Sequence, residues 1–285
     1  MQLVKAAMIG DVVGAQGLKT LEARLPALIK EHNIDFVTVN GENAADGFGI
    51  TEADFRRIVA AGADIVTTGN HVWEKREFWP VLETERRVLR PANYPSDSGI
   101  TQSLSGNGYM YIEKRGFNWL VINLQGRELM SPIDCPFHCF ESIIRKFAGP
   151  ASDIHPLLTA DGSLAPSIFP IILVDFHAES SREKEALAYF ADGRASIIAG
   201  THTHVQTADE KILPGGSAYI TDLGMTGLTE SVIGMNPAIC IERAHRQVLY
   251  HMETAVSENP GKMQGVIAEI NAYTGKAISV KRIDG

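Results

Sequence analysis

Five apolar runs in this 285-residue sequence each end at a residue that can ligate a metal or move a proton. AAMIGD closes on Gly10-Asp11, VTVNGEN on Gly41-Glu42-Asn43, and IVTTGNH on Gly69-Asn70-His71. ILVDFH supplies Asp175 and His177, and IIAGTHTH supplies His202 and His204. Taken singly, most of these have an ordinary explanation. Asn70 suits a helix N-cap, Asp11 a turn cap, Glu42 a solvated loop acid and His177 a satisfied core histidine. The paired histidines resist such explanations. Two residues apart on a strand they share a face, and in a loop they can clasp an ion from two directions. Carboxylate, amide oxygen and imidazole together form a donor set that suits Fe, Mn or Zn better than Ca or Mg.

The elements that must position these residues follow from periodicity. LVKAAMIG reads as a buried strand, and LKTLEARLPALIKEH places Leu18, Leu21, Leu25, Leu28 and Ile29 at helical spacing. IDFVTVNG is the next strand. TEADFRRIVAAG opens on Thr51-x-x-Asp54, a capping box, and ends at Gly62. DIVTTG is a third strand, and a helix is predicted after it through about Leu82. From Arg90 the chain turns rich in Gly, Pro, Ser and Asn, which predicts loop and then antiparallel strands. Residues 138–148 read as helix and 156–170 as loop. IILVDF, ASIIAG and SAYITD are further strands, with a helix between the first two that starts at a second capping box, Ser180-x-x-Glu183. Alternation on both sides of Thr274-Gly275 predicts a terminal β-hairpin. The whole is an α/β layered domain spanning 1–285, with room for small cap elements within about 91–140. In open α/β sheets, sites gather at the carboxyl ends of strands, where all five runs stop.

Composition narrows the partners. The chain is 45% hydrophobic and 21% charged, ordinary for a soluble globular protein. No apolar run reaches the roughly 20 residues that span a bilayer. Three cysteines argue against a disulfide framework and fit a reducing cytoplasm. A net charge of −8 with no basic block disfavours long nucleic acid. An anionic substrate would then be drawn by metal ions rather than by a lysine-rich surface.

The ordered series Gly-Asp, Gly-Glu-Asn, Gly-Asn-His, Asp-Phe-His and Gly-Thr-His-Thr-His resembles the calcineurin-like metallophosphoesterases. More narrowly, the chain resembles their bacterial YmdB-type branch. IGDVVG, NGENAADGFGIT, TTGNHVW, LRPANYP, INLQGR, DCPF, VDFHAE, AGTHTHVQTAD and TDLGMTG carry that likeness, in order, nearly end to end. Two departures from the wider superfamily fit the narrower branch. Asp11 is followed by Val12-Val13 instead of x-His, and Glu42 stands where a bridging aspartate is usual.

The resemblance implies a four-layer αββα sandwich of two mixed sheets and a dinuclear centre of Fe or Mn, or of Zn. It implies Asp11, Glu42, Asn43 and His204 around one metal, and Glu42, Asn70, His177 and His202 around the other, with Glu42 bridging. His71 is left free as the general acid. The function implied is a phosphodiesterase acting on small cyclic nucleotides, chiefly 2′,3′-cyclic AMP or GMP, to the 3′-nucleotide, with a metal-bridging hydroxide as nucleophile. A non-catalytic nucleotide-binding scaffold and a phosphomonoesterase on the same fold are the alternatives. Symmetric self-assembly is expected on general grounds.

Other candidates carry less. Cys135 and Cys139 bracket His138, but helical spacing explains them as small core residues better than as zinc ligands. Arg90, Asn93 and Arg127 suit either substrate contact or ordinary loop positions. His245 and His251 fall in a strand-like tail without a partner motif. No residue is assigned to the base or ribose.

Overall fold

Strands buried on both faces need apolar residues at nearly every position, and this chain supplies them. In the computed structural model, which describes residues 2–95, 104–147 and 170–285, β1 (Leu3–Ile9), β2 (Asp11–Val12), β3 (Phe36–Asn40) and β4 (Ile65–Thr67) begin one sheet. The chain then builds a second sheet from β5 (Tyr109–Lys114), β6 (Phe117–Gln125), β7 (Ile171–His177), β8 (Ile197–Thr201), β9 (Lys211–Ile212) and β10 (Ala218–Ile220). It returns to the first with β11 (Met225–Leu228), β12 (Gly261–Asn271) and β13 (Ala277–Asp284). The first sheet runs β2-β11-β12-β1-β3-β4, with β13 also on β12, and the second runs β5-β6-β7-β8-β10-β9. Both are mixed. β1, β3 and β4 are parallel, as are β6, β7, β8 and β10, whereas β12 opposes β1 and β5 opposes β6.

Alternate side chains of each strand feed different cores. Ala7 and Ile9 of β1 pack outward with Leu18, Leu21 and Leu25 of α1 (Gly14–His32) and Phe55 and Ile58 of α2 (Glu52–Ala60). Val4, Ala6 and Met8 turn inward to meet Trp119, Val121 and Leu173 of the other sheet. Phe36 stacks on Trp119 there, with ring centroids 4.6 Å apart. On the far side, Leu120, Ile122, Val174 and Phe176 pack against α4 (Pro136–Phe147) and α5 (Ser181–Ala191). Helix, sheet, sheet and helix are therefore the four layers the resemblance implied. Each large apolar side chain so buried contributes about 1.5–3 kcal/mol.

Several local expectations hold. The Thr51–Asp54 capping box forms in both directions, and the tail is the β12–β13 hairpin. Others need correction. The segment after Asn70 is no long helix. A 3₁₀ turn over residues 76–78 leads into the single short helix α3 (Trp79–Thr84), because Pro80 cannot donate within a helix and sits instead in its first turn. The second capping box is half made. Ser180 accepts from the Glu183 amide, but the Glu183 carboxylate accepts from the amides of Arg127 and Glu128 instead. His245 lies on a helix, α6 (Pro237–Arg246), and His251 in the irregular chain before β12. The helix escaped periodicity because it buries none of its residues; its signal is Asn236 capping Ala238, with Pro237 at the first helical position. The predicted loop at 156–170 lies outside the described residues except for Pro170. Residues 109–125 form two strands of the second sheet. Among the described residues, no helix is long and apolar enough to cross a membrane.

Candidate metal centre and active site

The parallel strands of both sheets deliver their carboxyl ends to one place. Asp11 starts β2 directly after β1, Glu42 follows β3, Asn70 follows β4, His177 ends β7, and His202 follows β8. Glu42 and His177 meet at its centre, Oε1 to Nε2 at 2.7 Å, both buried. The same Nε2 lies 3.0 Å from Asn70 Oδ1 and 3.0 Å from His202 Nδ1. The His177 and His202 rings stand edge to face, 4.7 Å apart. Glu42, His177 and His202 form a cluster able to hold a metal ion.

Asp11 extends the cluster on the other side. Its Oδ2 accepts from the His202 amide at 3.2 Å, and its Oδ1 lies 3.8 Å from His204 Nε2. The two loop histidines thus diverge, one toward His177 and one toward Asp11. His202 and His204 both hold left-handed backbone, φ 100° and 63°, which costs a non-glycine residue on the order of 1–3 kcal/mol. Asn43 shares no hydrogen bond with the other six; its Nδ2 donates to the Gly47 carbonyl at 2.9 Å.

Two oxygens test whether cations fit. Asp11 Oδ1 and Asn43 Oδ1 are buried and, among the described residues, have no hydrogen-bond donor. Buried acceptors are nearly always satisfied, so two orphans, one 3.8 Å from His204 Nε2 and one on the residue after Glu42, match a site built for positive ions. The fit is good. Electrostatics agree. Burial pushes the Asp11 carboxyl up to about 6, although His204 and His177 pull it down. Burial would also raise Glu42, but the charge and hydrogen bond of His177 outweigh it and hold Glu42 low. Burial lowers His177, yet Glu42, Asp11 and Asp175 carry it above its ordinary range. Burial, then the charge of His177, pushes His202 down to about 3.

A layer behind these groups orients them. Asp175 is buried and accepts from Asn40 at 3.1 Å, from Thr67, and from the Thr201 hydroxyl at 2.7 Å. Thr201 Oγ1 in turn lies 2.9 Å from His177 Nδ1. Since the Thr201 proton goes to Asp175, its lone pair accepts from Nδ1–H, so the proton on Nε2, now shared with Glu42, is the one a metal would displace. Asp175 thus acts one layer back. Gly69 lets His177 come close: a Cβ there would stand 2.1 Å from His177 Cδ2. The TDLGMTG loop approaches through a side chain. Asp222 accepts from the amide of Thr203, between the two histidines, and is paired to buried Lys184 at 2.7 Å.

His71 stands at the rim. Its amide donates to Glu42 Oε2 at 3.0 Å, its Nδ1 lies 3.5 Å from Glu74 Oε1, and its ring meets Phe48 edge-on. Sequence reasoning missed two neighbours. Glu179 Oε2 reaches His202 Nε2 at 3.2 Å; its signal was the VDFHAE run. Gln125 pairs in register with His177, takes the Tyr94 hydroxyl on Oε1 at 3.1 Å, and has a buried Nε2 without an acceptor. Cys135 and Cys139 are partly buried and free, and Cys139, on α4, packs against the outer core.

Comparison with known proteins places this geometry. The family model described as YmdB-like protein matches residues 7–283. The 2′,3′-cyclic-nucleotide 2′-phosphodiesterase of Bacillus subtilis is 38% identical over 275 residues, covering 96% of this chain and 94% of that protein. The crystal structure of a novel phosphatase from Mycoplasma pneumoniae superposes with a TM-score of 0.85 at 31% identity, covering 100% of this chain and 94% of that one. The NAD nucleotidase of Haemophilus influenzae, at 14% identity, shares the fold with a TM-score of 0.58, covering 99% of this chain and 55% of that one.

Proposed function

The chain belongs to the YmdB-like family and is a phosphoester hydrolase; from that premise we propose that it is a dinuclear-metal phosphodiesterase opening 2′,3′-cyclic nucleotides to 3′-nucleotides. The observation that carries the reading is the cluster of Glu42, His177 and His202, with the orphaned oxygen of Asp11 joined to it through the His202 amide and that of Asn43 on the residue after Glu42. It lies in a chain alike, over nearly all its length, to a protein described as acting on that substrate.

In this reading Asp11, Asn43 and His204 would hold one ion, Asn70, His177 and His202 would hold the other, and Glu42 would serve both. Iron or manganese suits the donor set best, and zinc is compatible. Bound there, the ions supply Lewis-acid charge for the phosphoryl oxygens and lower the pKa of water. The remaining work belongs to the chain. Thr201 and Asp175 hold the proton on His177 Nδ1, so that Nε2 is the nitrogen that would turn to a metal. Water adds at phosphorus, the bond from phosphorus to the 2′ oxygen breaks, and His71 gives that oxygen its proton. The His71 amide on Glu42 ties the acid to the centre, and Glu74 beside Nδ1 takes the proton there, so that in the imidazolium form the Nε2 proton is the one to be given up. The site works within a single domain in the cytoplasm.

A phosphomonoesterase is the second reading, favoured by the phosphatase description of the Mycoplasma relative. One experiment separates the two. The purified protein, loaded with manganese or iron, is given 2′,3′-cyclic AMP, 3′,5′-cyclic AMP and 3′-AMP, and the products are resolved by chromatography. Conversion of the 2′,3′ ring to 3′-AMP, faster than any other reaction, is expected. Faster release of phosphate from 3′-AMP would overturn the proposal in favour of the monoesterase.

A further inference from the structure

A cleft of about 570 Å³ opens beside the candidate centre. Its near end is tied to His177 through Gln125. Asn93 bonds the Gln125 backbone in both directions, at 2.8 and 2.9 Å, and the Tyr94 hydroxyl reaches the Gln125 side chain. The charge of Glu42 is felt at Tyr94, where it adds to burial in pushing the phenol up. The cleft is large enough for a nucleoside with an additional group.

Arg90 lines this cleft and is only 5% exposed. Its Nε donates to the Ser105 carbonyl at 3.1 Å and its Nη1 to the Pro91 carbonyl at 2.9 Å. Among the described residues, no carboxylate pairs with it and Nη2 has no acceptor. Two carbonyls hold the guanidinium in place without neutralising it. Buried charges are ordinarily paired, because an uncompensated one is costly. A planar fork with an open edge is also the geometry that grips phosphate. Lys146 stands at the rim over the Tyr109 ring, and His138 lies nearby; Asp134 is the acid on the same wall.

We propose that this cleft receives the nucleoside side of the substrate and that Arg90, with Lys146 at its rim, takes a second phosphate. The preferred substrates are therefore 2′,3′-cyclic phosphates that also carry a 5′-phosphate or an internucleotide phosphodiester. This rests on the cyclic-nucleotide reading above and deepens it.

The test uses the full-length, metal-loaded protein and three substrates: 2′,3′-cyclic AMP, its 5′-phosphorylated form, and the dinucleotide ApA ending in a 2′,3′-cyclic phosphate. A preference in kcat/KM of about tenfold or more for the two-phosphate substrates is expected, in keeping with a charge-assisted hydrogen bond. Preference for one of the two tells which phosphate is read. Arg90→Gln should bring the ratio to near one, and Lys146→Ala, on an exposed position of α4, should lower it partly. If Arg90→Gln does not fold, the Lys146→Ala ratio decides. A separate arm measures 5′-AMP binding to the metal-free protein by calorimetry, with about tenfold weakening expected in Arg90→Gln. Equal rates on all three substrates, or a preference that survives both substitutions, would overturn the subsite while leaving ring opening intact. Failure to open any ring, with 5′-AMP still held through Arg90, would sink the cyclic-nucleotide reading and keep the phosphate subsite.

Discussion

Nδ1 of His177 donates to the Thr201 hydroxyl at 2.9 Å, and that hydroxyl donates onward to Asp175 at 2.7 Å. Thr201 therefore fixes a proton on Nδ1, so that Nε2, facing Glu42, Asn70 and His202, is the nitrogen free to exchange its proton for a metal. Thr201→Val keeps the shape and removes the relay. Metal affinity, measured by competition with a chelator, should fall about 10–100-fold, the usual cost of losing such a partner. Unchanged affinity would show that His177 needs no such support.

Glu42→Gln should impair both ions at once. A carboxylate contributes negative charge to two cations, and an amide does not. Elemental analysis of the purified variant is expected to find well under two ions per chain. Full occupancy would remove Glu42 from the bridging position.

His71→Ala should keep its metals and lose about 10²–10⁴-fold in turnover, the range of general acid catalysis. The amide that holds Glu42 is backbone and survives the change. Metal content and kcat together decide the case. A variant that turns over normally has its acid elsewhere.

Gly69→Ala tests close approach. The new Cβ would lie 2.1 Å from His177 Cδ2, so the ring or the strand end must shift. Overpacking of this kind costs about 1–3 kcal/mol. Lower thermal stability together with weaker metal binding is expected, and a variant with normal melting and normal metal content would refute the geometry.

Lys184→Met leaves Asp222 buried without its cation, both partners being 1% exposed. Breaking such a pair costs about 3–5 kcal/mol. Denaturant unfolding measures the loss, and turnover should also fall because Asp222 holds the Thr203 amide between His202 and His204. A change under about 1 kcal/mol would mean that Asp222 is satisfied in some other way.

Much of this was legible in the residues. Burial on both faces writes itself as unbroken apolar runs, so the longer strands of both sheets could be read without coordinates, while the short β2, β9 and β11 could not. The runs also announced their own ends, because a polar residue at the tip of a buried strand needs a reason. Asp11, Glu42, Asn70, His177 and His202 followed from that rule, and local chemistry gave the Thr51 cap and the Thr274-Gly275 turn. Where periodicity carried no signal, as in α6 with no buried face, or was broken by Pro80, the reading strayed.

Relationships across the chain belong to the tertiary structure alone. Thr201, Asp175 and His177 are a chain of donors and acceptors only because β7 and β8 lie in parallel register. Nothing in the spacing shows that His202 turns toward His177 while His204 turns toward Asp11; their left-handed backbone decides it. The isolation of Arg90 is equally invisible in sequence, since whether a guanidinium has an acid beside it depends on which loops fold over it. Residue type sets what chemistry a side chain can perform, and strand patterning sets which end of the sheet it reaches. Distances, tautomers and unpaired charges arise from contacts between segments far apart in the chain, and packing alone fixes those.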